Sequence, residues 1–109
     1  MSVTATESPD NSDVTINVAG RFDFSCHQEF LQAYTAFPKG DKHFIVDLSE
    51  TEYMDSSAMG MLLQLREHST REANVSLVNA NEGVREVLRI ANFDKLFTID
   101  EPAGIERQI

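Results

Sequence analysis

The apolar positions of this chain change period several times, and each change marks an element. Val3-Thr4-Ala5-Thr6 and Val14-Thr15-Ile16-Asn17-Val18 alternate apolar with polar, the period of a strand with one buried face. Between them Pro9-Asp10-Asn11-Ser12-Asp13 collects turn formers, so the two runs predict an opening hairpin whose first strand is the weaker. Gly20-Arg21-Phe22-Asp23 leaves the second strand and leads to a helix. Cys26, Phe30, Ala33, Tyr34 and Phe37 then fall at helical spacing and form one apolar stripe. Ser25 stands three residues before Gln28, the spacing of a capping box, and Pro38 and Gly40 end the helix.

The run from Phe44 to Leu48 is interrupted only by Asp47 and has the length of a buried central strand. Strand, helix and strand in this order predict a right-handed crossover between parallel strands. A second helix is predicted over about 58–70, a strand at Val75-Ser76-Leu77-Val78, and a third helix from the stripe Val84, Val87, Leu88 and Ala91. On its outer face Glu82/Arg85 and Glu86/Arg89 lie three apart and can pair. Leu96-Phe97-Thr98-Ile99 reads as a last strand, and Pro102-Ala103-Gly104 opens a C-terminal tail. No repeat, low-complexity tract or linker divides the chain. The expectation is a single α/β domain over 1–109, with a core at about 14–99 between an N-terminal strand or tail and the C-terminal tail.

Composition narrows the class. Hydrophobic content of 41% and charged content of 25% suit a globular chain, so wholesale disorder is not expected. Nine basic residues against eighteen acidic ones give a net charge of −9 with no basic run, which argues against nucleic acid as a partner. Acidity of this kind favours solubility and can steer a basic partner. Cys26 is the single cysteine, so no intramolecular disulfide is possible and a reducing compartment suits the chain. The first ten residues lack the basic and apolar regions of a secretory signal, and no apolar run approaches the ~20 residues of a membrane span. Cytoplasmic location without membrane insertion is the expectation.

The chemistry concentrates at Asp55-Ser56-Ser57, where the second helix begins. Asp and Ser are favoured helix caps, and this is the commonest use of such a tripeptide. A serine nucleophile would need a base in reach, yet the histidines are His27, His43 and His68 and no Gly-x-Ser-x-Gly elbow surrounds either serine. Hydrolysis is disfavoured, and the chain reads as a non-enzyme. The third use is phosphorylation. Phosphoserine carries about −1.5 to −2 charge, which backbone amides at a helix start can accommodate. A partner packed over that spot would meet a desolvated charge, and ~2.7 kcal/mol changes affinity a hundredfold.

The block Asp55-Ser56-Ser57-Ala58-Met59-Gly60, following Ile45-Val46-Asp47-Leu48-Ser49, resembles the signature of STAS domains, the anti-sigma factor antagonist family. The similarity runs from Val14 to Ile99 and includes Gly20-Arg21-Phe22-Asp23, which looks like the family's Gly-x-Leu-Asp. The resemblance implies a STAS-like domain with a mixed, mostly parallel sheet of four to five strands and three to four helices. It implies a bacterial partner-switching regulator without a cofactor of its own. Unphosphorylated, such a protein binds an anti-sigma factor or a serine-protein kinase; phosphorylation releases the partner, and a PP2C-type phosphatase restores binding. The second serine of the block, Ser57, is the implied acceptor, with Ser56 as the alternative and Asp23 and Asp55 in support. Ala58 departs from the family's glycine, and a methyl group there could hinder a kinase. The implied partner surface comprises Phe22, Asp23, Tyr53, Met54, Ser56, Ser57, Ala58, Met59 and Met61. The alternative role is a constitutive STAS adaptor subunit of a transporter or signalling assembly, with no phosphorylation.

Other candidates are weaker. His27 beside Cys26 lacks the further spacing of a metal site, and Cys26 belongs to the apolar stripe. Met54, Met59 and Met61 could form an adaptable docking surface, although filling the core is the better expectation. Gly60 and Gly83 stand alone, so no phosphate-cradling loop and no nucleotide site is expected.

Overall fold

A computed structural model describes residues 2–70 and 74–99. The opening hairpin forms as expected: β1 (Val3–Glu7) pairs antiparallel with β2 (Asp13–Val18). Asn11 turns the chain between them at φ +64°, a conformation Asn tolerates better than most residues. β2 then pairs in parallel with β4 (His43–Asp47), placing Val14 beside Phe44 and Ile16 beside Val46. β6 (Ser76–Val78) and β7 (Thr98–Ile99) extend the sheet in parallel, giving the order β1-β2-β4-β6-β7. Among the described residues only the β1–β2 pair is antiparallel, so the sheet is mixed and mostly parallel.

Burial alternates along β2, β4 and β6. Val14, Ile16, Val18, Phe44, Val46 and Leu77 are sealed, while Thr15, Asn17, Ile45, Ser76 and Val78 on the opposite face are half-covered. The sealed face joins one core with side chains of α1 (His27–Thr35), α2 (Ser56–His68) and α3 (Glu82–Ile90). Phe30 and Tyr34 come from α1, Leu62 and Leu65 from α2, Val84 and Leu88 from α3. Cys26 lies in the same core, and burial pushes its thiol up. Each of the predicted stripes is thus the inner face of its helix.

Several local expectations are corrected. Two further strands that the pattern did not predict, β3 (Gly20–Phe22) and β5 (Thr51–Met54), form a separate parallel pair. Gly20 starts this pair at φ +81°, where its N–H donates to the Glu50 carbonyl at 2.8 Å. The buried Thr51 hydroxyl donates to the Val18 carbonyl at 2.6 Å, tying the pair to the main sheet. Ser25 does not cap the first helix. Asp23 caps a short 3-10 turn, Phe24–Cys26, that runs into α1. The second helix starts at Ser56 rather than near 58, and the last strand is only Thr98–Ile99 because Phe93–Lys95 forms another 3-10 turn. Glu86 and Arg89 pair as expected, but Arg85 donates to the Ala80 carbonyl. The tail expected from Pro102-Ala103-Gly104 lies outside the described residues.

Candidate functional site

The separate strand pair builds the site. Phe22 and Met54 are partners across the β3–β5 ladder, and both side chains are buried. Each chain then turns, within one residue, into a helix start capped by aspartate: Asp23 after Phe22 and Asp55 after Met54. Both caps have extended backbone, as an N-cap requires. Asp55 Oδ1 accepts from Ser57 N at 3.0 Å, from Ala58 N at 3.2 Å and from Ser57 Oγ at 2.6 Å. Asp23 Oδ1 accepts from Ser25 N at 3.0 Å and from Ser25 Oγ at 2.5 Å. Two Asp-x-Ser caps of one design therefore lie side by side, and the middle residue of each, Phe24 or Ser56, points its chain position outward to solvent.

The electrostatics follow from these bonds. The Ser57 hydroxyl, then the amides of Ala58 and Ser57, hold the Asp55 carboxyl below its ordinary range, while the neighbouring Asp23 charge opposes them. Asp23 is held low by the Ser25 hydroxyl and amide, with Arg21 adding to this. Arg21 Nε donates to Asp23 Oδ2 at 3.1 Å, and its guanidinium lies 4.2 Å from the centre of the Tyr53 ring. The two amides that Asp55 occupies are the ones a phosphate at this helix start would otherwise use. The Asp55 carboxylate already holds these two amides, and the Asp23 charge lies near it.

The two serines are presented differently. Ser56 is exposed, whereas Ser57 is half-buried and its hydroxyl is engaged by Asp55. Of the partner surface expected from sequence, Asp23, Tyr53, Ser56, Ser57 and Met59 have at least partial exposure. Phe22, Met54, Ala58 and Met61 are corrected to core positions, each at most 5% exposed. Their alternation and helical spacing turn them inward, so their side chains brace the site from below. Ala58 is fully sealed, so its methyl faces the core and not the surface a kinase would approach. Sequence reasoning missed Phe24, which is 66% exposed and stacks on His27 at 4.8 Å. An isolated aromatic outside the Cys26–Phe37 stripe was the available signal. Among the described residues no cluster of three or more His, Cys, Asp or Glu side chains could hold a metal ion, and no helix is long and apolar enough to cross a membrane.

A mixed five-stranded sheet with three helices and a capped Asp-Ser-Ser helix start is the architecture of a STAS domain. The family model described as "Mlab, STAS domain" matches residues 5–99, and the chain belongs to this family. A STAS-domain containing protein of Pseudomonas aeruginosa is 46% identical over 100 residues, covering 91% of this chain and 99% of that one. The fold is that of an anti-sigma factor antagonist from Mycobacterium paratuberculosis (TM-score 0.71, 18% identity, 94% of this chain and 88% of that chain). It is also that of the anti-sigma factor antagonist SpoIIAA in its unphosphorylated form (TM-score 0.64, 19% identity, 97% and 94%). At these identities the likeness speaks for the fold.

Proposed function

We propose that this protein is a non-enzymatic, phosphorylation-controlled partner switch of the anti-sigma factor antagonist type, acting in the bacterial cytoplasm. In the unphosphorylated state it binds an anti-sigma factor or a serine-protein kinase through the surface around Asp23, Phe24, Tyr53, Ser56 and Ser57. Modification at the Asp55-Ser56-Ser57 helix start releases that partner, and a PP2C-type phosphatase resets the switch. The observation that carries this reading is an exposed serine, Ser56, next to the Asp55 cap, on a strand-pair end that also carries Asp23 and the exposed rings of Phe24 and Tyr53. Exposed aromatic side chains supply contact energy, and a new dianion beside Asp55 and Asp23 adds like charge inside the contact.

Ser56 is the better presented acceptor, because it is exposed while Ser57 is half-buried. The expected acceptor order is therefore Ser56 before Ser57, the reverse of that implied by sequence resemblance. The test is affinity purification with Ser56→Ala, Ser57→Ala, Ser56→Asp and Ser57→Asp, combined with intact mass before and after serine phosphatase treatment. Retention of an anti-sigma or kinase-like partner by Ser56→Ala and its loss by Ser56→Asp support the switch. Equal recovery by all four variants, with no phosphatase-sensitive mass, points instead to a constitutive adaptor.

A further inference from the structure

In a chain of net charge −9, the far end of α3 is an exception. Arg85 and Arg89 lie four apart on one helix face, Lys95 follows in the next turn, and Arg66 Nε donates to the Leu96 carbonyl at 3.0 Å. Beside them is a cleft of about 410 Å³, lined by Asn74, Arg85, Arg89, Asp94, Thr98 and Ile99, with Phe97 at its base. That volume suits a small-molecule site, for which ~300–1,000 Å³ is typical. The cleft is remote from the serine site along α3, which starts where Asn81 Nδ2 donates to the Thr51 carbonyl at 3.1 Å.

Arg85 is the informative residue. One guanidinium nitrogen donates to the Ala80 carbonyl at a long 3.3 Å, and Nε is covered yet has no acceptor among the described residues. A covered charged donor without an acceptor is an incomplete hydrogen-bond arrangement of the kind that marks a site for a missing group. Among the described residues Arg89 pairs with Glu86 and neither arginine pairs with Asp94, so the cleft holds separate positive and negative groups.

We propose that this cleft binds a small organic carboxylate with an apolar body. The two carboxylate oxygens take the Nε and Nη edge of Arg85 as a fork, after the guanidinium turns from the Ala80 carbonyl. Arg89 adds a second positive charge, and the half-buried Ile99 offers an apolar wall. Asp94 at the rim selects against a phosphate dianion, so a single negative charge is preferred.

The test is an NMR titration of isotope-labelled protein with sodium benzoate, against sodium chloride at matched ionic strength and against phenyl phosphate. Benzoate is expected to shift the Arg85 Nε–H signal and the amides of Asn74, Thr98 and Ile99 saturably. Arg85→Gln is expected to weaken binding at least ~10-fold, the loss of one charge-assisted contact. Arg89→Gln weakens it less, and if Arg85→Gln fails to fold, the wild-type Nε–H shift together with Arg89→Gln decides. Drift matching that with chloride, undiminished affinity in a folded Arg85→Gln, or shifts mapping to another face would overturn the proposal. So would phenyl phosphate binding more tightly than benzoate.

Discussion

Asp23 and Asp55 each stand one residue beyond a strand partner, Phe22 and Met54, and each bends its carboxylate back onto the serine two residues ahead. The pairing couples the two helix starts electrostatically, since the charge of Asp23 acts on Asp55. Both carboxyls are held below their ordinary range. A depressed pKa in the folded state contributes stability above the unfolded value of ~4, and that contribution is lost as pH falls through the folded value. Urea midpoints are therefore expected to be level near neutrality and to drop below about pH 4. Asp55→Asn should show a shallower acid decline than the parent; parallel declines would contradict the assignment.

The serine pair separates by stability as well as by modification. Ser57→Ala removes the hydroxyl bond to Asp55 and is expected to cost up to about 1 kcal/mol, while Ser56→Ala stays within roughly 0.5 kcal/mol of the parent. Urea unfolding at neutral pH measures both. A larger loss at Ser56 than at Ser57 would reverse the local account given above.

Ala58→Gly tests whether the departure from the family's glycine matters to a kinase. Because the methyl is sealed in the core, the change is expected to lower helix stability by about 1 kcal/mol without raising the rate of phosphorylation. Mass spectrometry after incubation with the cognate kinase and ATP reads the second quantity, and a clear gain in rate would show that the methyl obstructs the acceptor.

Phe24 and Phe22 are two positions apart and should respond oppositely. Phe24→Ala removes a ring that is 66% exposed, so the fold should persist while partner affinity falls ~30-fold or more, the scale of a binding hot spot. Phe22→Ala opens the core beside Phe30, whose ring centroid lies 5.1 Å away, and is expected to cost about 3–5 kcal/mol. Thermal melts with calorimetric binding distinguish the two. Unchanged partner affinity in Phe24→Ala would remove it from the interface.

The long elements were legible in the sequence because their burial is periodic. The Cys26–Phe37 stripe, the alternation through Val14, Ile16 and Val18, and the Val84/Leu88 spacing each report a face turned to the core. The β3–β5 pair was not legible. Three and four residues are too few to show a period, and Glu52 and Tyr53 at the centre of β5 are both exposed. The motif identified the serine block, but not which hydroxyl is engaged, because that depends on the direction in which the Asp55 carboxylate turns. The same limit explains Phe22: proximity to the motif suggested a docking surface, whereas packing makes it a support, as the core expectation for Met54 and Met61 already had for those two.

Ala58, Leu62 and Leu65 all lie at zero exposure along α2. With its inner side locked this way, the helix resembles a riveted plate more than a lever: it has little freedom to roll when its tip is modified. A signal written there should remain skin-deep, altering the label a visitor reads while leaving the building behind it unmoved.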